Sequence, residues 1–270
     1  MSFLDFSVDD AKTHWKRLCD LLWFHDGLGI WLDVSRMRVN AADFERLEPG
    51  FETAFQAMQQ LEAGAIANPD EQRQVGHYWL RAPELAPSEP VRNHVAREID
   101  QIEQFGKDVL SGAIKAPCGK PFTDVLWIGI GGSGLGPMLM VRALQRPNAG
   151  LPFHFFDNVD PDGMSTVLAG LGDRLKTTLV VTVSKSGGTP EPHIGMEQAR
   201  LRLDAVGGSW PEQAVAITMA ESKLDQQASQ QGWLKRFDMF DWVGGRTSIT
   251  SAVGLLPCLL YTSPSPRDPH

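Results

Sequence analysis

The chain has 270 residues, 42% of them hydrophobic and 21% charged, which is the balance of a globular protein with a real core. That excludes a fibrous, disordered or disulfide-dense small protein. A net charge of −8 argues against a nucleic-acid or anionic-membrane partner, while leaving room for a locally positive pocket that takes a small anion.

The first hundred or so residues read as helices. Ala11, Trp15, Leu18 and Leu22 fall on one helical face, as do Phe51, Phe55 and Met58. Ser88 and Pro90 open a third helix carrying Val91, Val95, Ile99 and Ile102. These stripes are expected to face a core. Near Pro117 the pattern changes to short apolar runs at 124–130 (DVLWIGI), 153–156, 178–183 (TLVVTV) and 214–218 (AVAIT). Amphipathic segments lie between them, at 137–146 and 192–203 among others. Alternation of this kind predicts a parallel sheet covered by helices, with ligands beyond the carboxyl ends of the strands. The uncharged stretches 125–141 and 247–266 are interrupted by glycine and proline, so neither is expected to span a membrane. Cys19, Cys118 and Cys258 are far apart and read as free thiols. With no basic leader visible, a cytoplasmic location is expected. The seven histidines show no metal-ligand spacing, and no metal is expected.

Two loops carry the chemical signal. The segment 129–137, GIGGSGLGP, follows a predicted strand; its glycines permit close backbone approach, and Ser133 and Pro137 suit a helix opening that favours an anion. It also contains GxGxxG, with Asp157 at the end of the next strand, so a dinucleotide reading has to be weighed. The hydrolase elbow GxSxG fails, because position 135 is Leu. The second loop, 184–191 (SKSGGTPE), sets three hydroxyls, two glycines and Lys185 at a strand-to-helix junction, with Thr189 and Pro190 as cap and first helical residue. Such a nest suits a terminal phosphate, and a dinucleotide does not require it. Further on, GGRTS at 244–248 offers Arg246, whose permanent charge suits a developing oxyanion. Glu191 reads first as a complement to the helix dipole.

IGIGGSGLGP, SKSGGTPEP and GGRTSITSAVGLLP, in this order, resemble the bacterial type of the glucose-6-phosphate isomerase family, and DNVDPDG at 157–163 fits the same family. SKSGGT is also similar to the phosphosugar signature of the wider sugar-isomerase (SIS) domain superfamily. The resemblance implies an α/β fold, a flavodoxin-like three-layer α/β/α SIS domain with a mostly parallel sheet, preceded by an N-terminal helical extension. On that basis 1–115 is the helical region, 116–257 the first SIS domain and 258–270 a non-native or disordered tail. Ser184, Lys185, Ser186 and Thr189 would hold the substrate phosphate. Gly132 and Ser133 would line the sugar site, and Glu191 matches a family glutamate near the phosphate. Arg246 would stabilise a cis-enediolate as glucose 6-phosphate and fructose 6-phosphate interconvert without a cofactor. The family's proton-transfer glutamate and its ring-opening histidine and lysine come from a second half that this chain does not reach. Members are usually homodimers. The ending CLLYTSPSPRDPH resembles adaptor or vector sequence, and loss of a second SIS domain is expected to expose apolar surface. Two other readings stay open: a non-catalytic phosphosugar-binding module, and an NAD-linked oxidoreductase.

Overall fold

The computed structural model describes residues 10–144 and 150–262 and divides the chain into two compact units, Met1–Gln59 and Gln60–His270. In the first, helix α1 (Ala11–Leu21) starts at Asp10, whose carboxylate accepts the Lys12 N–H. Strands β1 (Leu22–His25) and β2 (Ile30–Asp33) pair antiparallel, across a turn in which Gly29 sits at φ +61°. Arg17 fixes the loop after β2, donating to the main-chain oxygens of Ser35 at 3.0 Å and Met37 at 2.7 Å. Helix α2 (Ala41–Glu62) follows. Helical periodicity does not reveal this hairpin. Nor do the two apolar stripes of this unit face a core as expected: no residue of α1 or α2 is buried, and Trp15 and Phe55 are each 67% exposed. A shared face is a property of the helix; its cover has to come from elsewhere, and this unit does not provide it.

The second unit opens with the short pair β3 (Ile66–Asn68) and β4 (Arg73–Gln74), then two 3₁₀ turns and helix α3 (Glu89–Ser111). Gly112 ends α3 in the left-handed region at φ +73°, where a side chain is disfavoured. The sheet strands are β5 (Asp124–Ile128), β6 (Phe153–Phe156), β7 (Thr178–Val183), β8 (Ala214–Thr218) and β9 (Lys235–Asp238). They pair in the order β6-β5-β7-β8-β9, all parallel. Helices α4 (Gly132–Leu144), α5 (Pro161–Leu171), α6 (Pro190–Ala205), α7 (Trp210–Gln213), α8 (Lys223–Gln230) and α9 (Ala252–Thr262) complete the unit.

Side chains alternate across the sheet. Val125 and Trp127 join Ile102, Phe105, Val109, Val253 and Leu256 in one core, beneath α3 and α9. Leu126 and Ile128 join Met164, Leu168, Met196 and Leu203 in the other, beneath α5 and α6. Each such side chain removed from water contributes roughly 1.5–3 kcal/mol. The three-layer α/β architecture is as expected, and residues 60–115 belong with the sheet, because Ile102, Phe105 and Val109 are part of its core. In the segment from 258, expected as a non-native or disordered tail, α9 continues as helix to Thr262: Leu260 and Tyr261 are fully buried, and the Leu260 carbonyl accepts the Leu151 N–H at 2.8 Å. Residues 263–270 of the expected tail lie outside the described residues.

Candidate active site

The chain leaves β5 toward β6 on one side and returns to β7 on the other, so the loops after β5 and β7 leave neighbouring strands at a topological switch point. Ligands of such sheets sit there. In the first loop Gly131 takes φ +57°, and a methyl group on Gly132 would lie 1.9 Å from the Gly245 carbonyl oxygen. Only glycine permits that approach, which brings the GGR loop against the first loop. Ser248 adds a bond to the Gly245 carbonyl at 2.9 Å. The helix begins at Gly132, earlier than Pro137 would signal, and Pro137 lies inside it. Proline cannot donate to the Ser133 carbonyl one turn back. Trp127 does so instead, through Nε1 at 2.8 Å.

In the second loop Gly187 takes φ +65° where a Cβ would meet Ser222 and Leu224. Thr218 donates to the Ser184 carbonyl at 2.6 Å, and the Met219 N–H donates to the Lys185 carbonyl at 3.1 Å, so β8 fixes the loop from behind. Thr189 and Pro190 open α6 as the sequence indicates, but the Thr189 hydroxyl makes no capping bond and lies 3.4 Å from the Ser186 hydroxyl.

These loops border a cleft of about 340 Å³, lined by Ser133, Ser184, Lys185, Ser186 and Thr189, with Glu71, Arg73, Ile130, Val183, Pro192 and Met219. Five residues singled out in the sequence thus meet in one cavity. Ser184 Oγ is buried and has no hydrogen-bond partner among the described residues. Such an unmade bond costs roughly 1–3 kcal/mol, which a ligand oxygen would recover. Lys185 donates to the carbonyls of Asp241 and Val243, each at 2.7 Å. Burial, and then the nearby Arg73 charge, hold its pKa below the usual lysine range.

Gly132, Glu191 and Arg246 do not line the cleft. Gly132 sets the contact between loops. Glu191 stands in the first turn of α6, and Arg246 is exposed, beside Gly245. Asp157, on which the dinucleotide reading depends, is also absent from the cleft lining; its carboxylate accepts a bond from Asn158. Glu71 and Arg73 are the residues that sequence reasoning missed. They sit in PDEQRQ, which has no motif, and only the β3–β4 pair brings them to the strand ends. Elsewhere, His94, Glu98 and Asp238 gather with potential ligand atoms within 4.8 Å of one another. These groups already have partners: His94 Nε2 meets Asp238 Oδ2 at 2.8 Å, and the Glu98 carboxylate accepts the Asp238 main-chain N–H at 2.7 Å.

Fold and cleft together define a doubly wound α/β domain with a hydroxyl-lined cleft at its switch point. The sequence profile of the phosphoglucose isomerase family matches residues 33–263, and the chain belongs to that family. It is 74% identical over 257 residues to the glucose-6-phosphate isomerase of Parasynechococcus marenigrum (strain WH8102), covering 95% of this chain and 47% of that protein. It is 71% identical over 260 residues to the enzyme of that name from Prochlorococcus marinus (strain MIT 9313), covering 96% and 47%. A crystal structure of a glucose-6-phosphate isomerase from Chlamydia trachomatis superposes with a TM-score of 0.75 at 28% identity, covering 91% of this chain and 47% of that one. The chain spans about half the length of the curated relatives it matches. Among the described residues, no helix is long and apolar enough to cross a membrane.

Proposed function

We propose that this chain is the phosphosugar-holding half of an aldose–ketose isomerase that interconverts D-glucose 6-phosphate and D-fructose 6-phosphate. The carrying observation is the cleft that gathers Ser133, Ser184, Lys185, Ser186 and Thr189 at the switch point of the sheet. Hydroxyls and backbone N–H groups at the start of α6 suit a phosphate, and the helix dipole adds to them; Glu191 balances that dipole. Ser133 borders the sugar from the cleft wall, and Gly132, expected to do the same, instead sets the loop that carries Ser133. Arg246, exposed beside the contact between loops, is available to a cis-enediolate oxygen, and its charge persists at every working pH. No cofactor is needed for a proton moved between neighbouring carbons. The family's proton-transfer glutamate, histidine and lysine belong to the second half of the longer relatives. This chain therefore binds without turning over, since a positioned acid or base alone contributes about 10²–10⁴-fold. The family resemblance supports a homodimer and a cytoplasmic location for the longer protein.

A second reading, a phosphosugar-binding module without chemistry, draws on the absence of any histidine from the residues lining the cleft. Calorimetric titration of the 270-residue chain tests both. Fructose 6-phosphate is expected to bind saturably, and fructose about 100-fold more weakly, because charge-assisted bonds to the phosphate are lost. A carboxylate analogue of the enediolate bearing the same phosphate is expected to bind more tightly than fructose 6-phosphate, in an Arg246-dependent way. Equal affinity for the two would favour the module. No binding of fructose 6-phosphate would overturn both readings, and turnover by this chain alone would overturn its assignment as a half site.

A further inference from the structure

We propose that Arg73 supplies the main positive charge to the phosphate in this cleft, with Lys185 serving mainly as a clamp. The inference rests on the phosphosugar reading and adds to it the residue that provides the charge.

Lys185 is the cation that the motif offers, and its ammonium has three N–H groups. Two are donated to the carbonyls of Asp241 and Val243, each at 2.7 Å. Those bonds tie the end of β7 to the loop after β9 and leave one donor. A phosphate at the Ser186 and Thr189 hydroxyls carries close to two negative charges at neutral pH. It needs a cation whose donors are not already committed.

Arg73 lines the same cleft from a different part of the chain. Among the described residues its guanidinium donates one bond, from Nη1 to Glu71 Oε2 at 3.2 Å. A guanidinium has five N–H donors in a fixed fork, so most remain for a bidentate grip on phosphate. The group is also held in place. Glu71 accepts from Asn68 Nδ2 at 3.0 Å, and the Glu71 N–H donates to Asn68 Oδ1 at 3.1 Å. Just beyond β4, the Gly76 N–H donates to the Trp242 carbonyl at 3.1 Å, and the Trp79 and Trp242 rings meet at 5.2 Å. The hairpin that carries Arg73 is thus anchored to the same loop, 241–243, that Lys185 grips. One loop sets the positions of both cations.

Electrostatics points the same way. Arg73 stands near enough to Lys185 for its charge to disfavour the ammonium, second to burial. Two cations on one cleft repel each other, and an anion between them relieves that repulsion. Phosphate would also draw the fork away from Glu71, so that Glu71 holds Arg73 ready in the empty cleft and yields it on binding.

The test is titration of the 270-residue chain with inorganic phosphate and with fructose 6-phosphate, for the unsubstituted chain, Arg73→Gln and Arg73→Lys. Arg73→Gln is expected to weaken fructose 6-phosphate by roughly 10- to 100-fold, the scale of a lost charge-assisted bond. It should also flatten the dependence of affinity on salt, with the unfolding midpoint little changed. Arg73→Lys should recover the charge and part of the affinity. Binding by Arg73→Gln within about twofold of the unsubstituted chain would overturn the proposal while leaving the phosphosugar reading intact. Failure of the unsubstituted chain to bind either phosphate would overturn that reading and this inference with it.

Discussion

Trp15 and Trp127 both belong to apolar patterns in the sequence, yet Trp15 is 67% exposed and Trp127 is fully buried. The difference lies in what packs against each pattern in the fold. Trp127 is on a strand whose two faces are covered by helices, α3 and α9 on its own side and α5 and α6 on the other, so it is enclosed even though α9 lies far along the chain. Trp15 and Phe55 sit in a unit of two helices and one hairpin, among the described residues of which no large apolar side chain is buried. Periodicity thus identifies which side chains share a face, but only the neighbouring elements decide whether that face becomes core.

The contrast can be broken by substitution. Leu260→Ala is expected to cost about 3 kcal/mol in urea denaturation, because it opens a cavity beneath α9. A loss under 1 kcal/mol would mean that this turn of α9 is not part of the core. Glu98 tests the same region through pH. Its carboxyl is raised from 4.5 to about 7, first by burial and then by the neighbouring Asp238 carboxylate. The folded state therefore binds the extra proton, and the stability this contributes is full below about pH 4.5 and lost by about pH 7. Glu98→Gln keeps an acceptor for the Asp238 N–H. Its stabilising effect at pH 8 is expected to exceed that at pH 5 by about 2 kcal/mol, with thermal midpoints at the two pH values as the readout. A pH-independent effect would contradict the burial argument. At the small end, Phe55→Ser should change stability by no more than about 0.5 kcal/mol, since little burial is lost. A larger loss would show that its face is covered after all.

Much of the second unit was legible. Strands β6, β7 and β8 fall on the apolar runs, and β5 fills the run down to its first loop glycine, because strands covered on both sides need no polar alternation. Strand β9, KRFD, escaped notice because an edge strand carries charges and only Phe237 is apolar. The hairpin β1–β2 is hidden because each strand is only four residues long and Leu22 also continues the helical face of Ala11, Trp15 and Leu18. Of the site, the hydroxyl loop was legible because capping and phosphate chemistry leave a local signature. Arg73 was not, since its place depends on contacts with a loop some 170 residues later. The role of Lys185 as a clamp was hidden for the same reason: a lysine's donors can be counted in sequence, but their acceptors cannot.

The bond from Trp127 to the Ser133 carbonyl has a dynamic meaning. A glycine-rich turn followed by a helix with a proline in it would ordinarily be among the first segments to open. Here the carbonyl that proline leaves free is closed by an indole rooted in the central strand. Unwinding the start of α4 therefore breaks a bond to the central strand as well as the helix's own main-chain bonds. The first loop is tied to the sheet from which it leaves, and a ligand meets it already set.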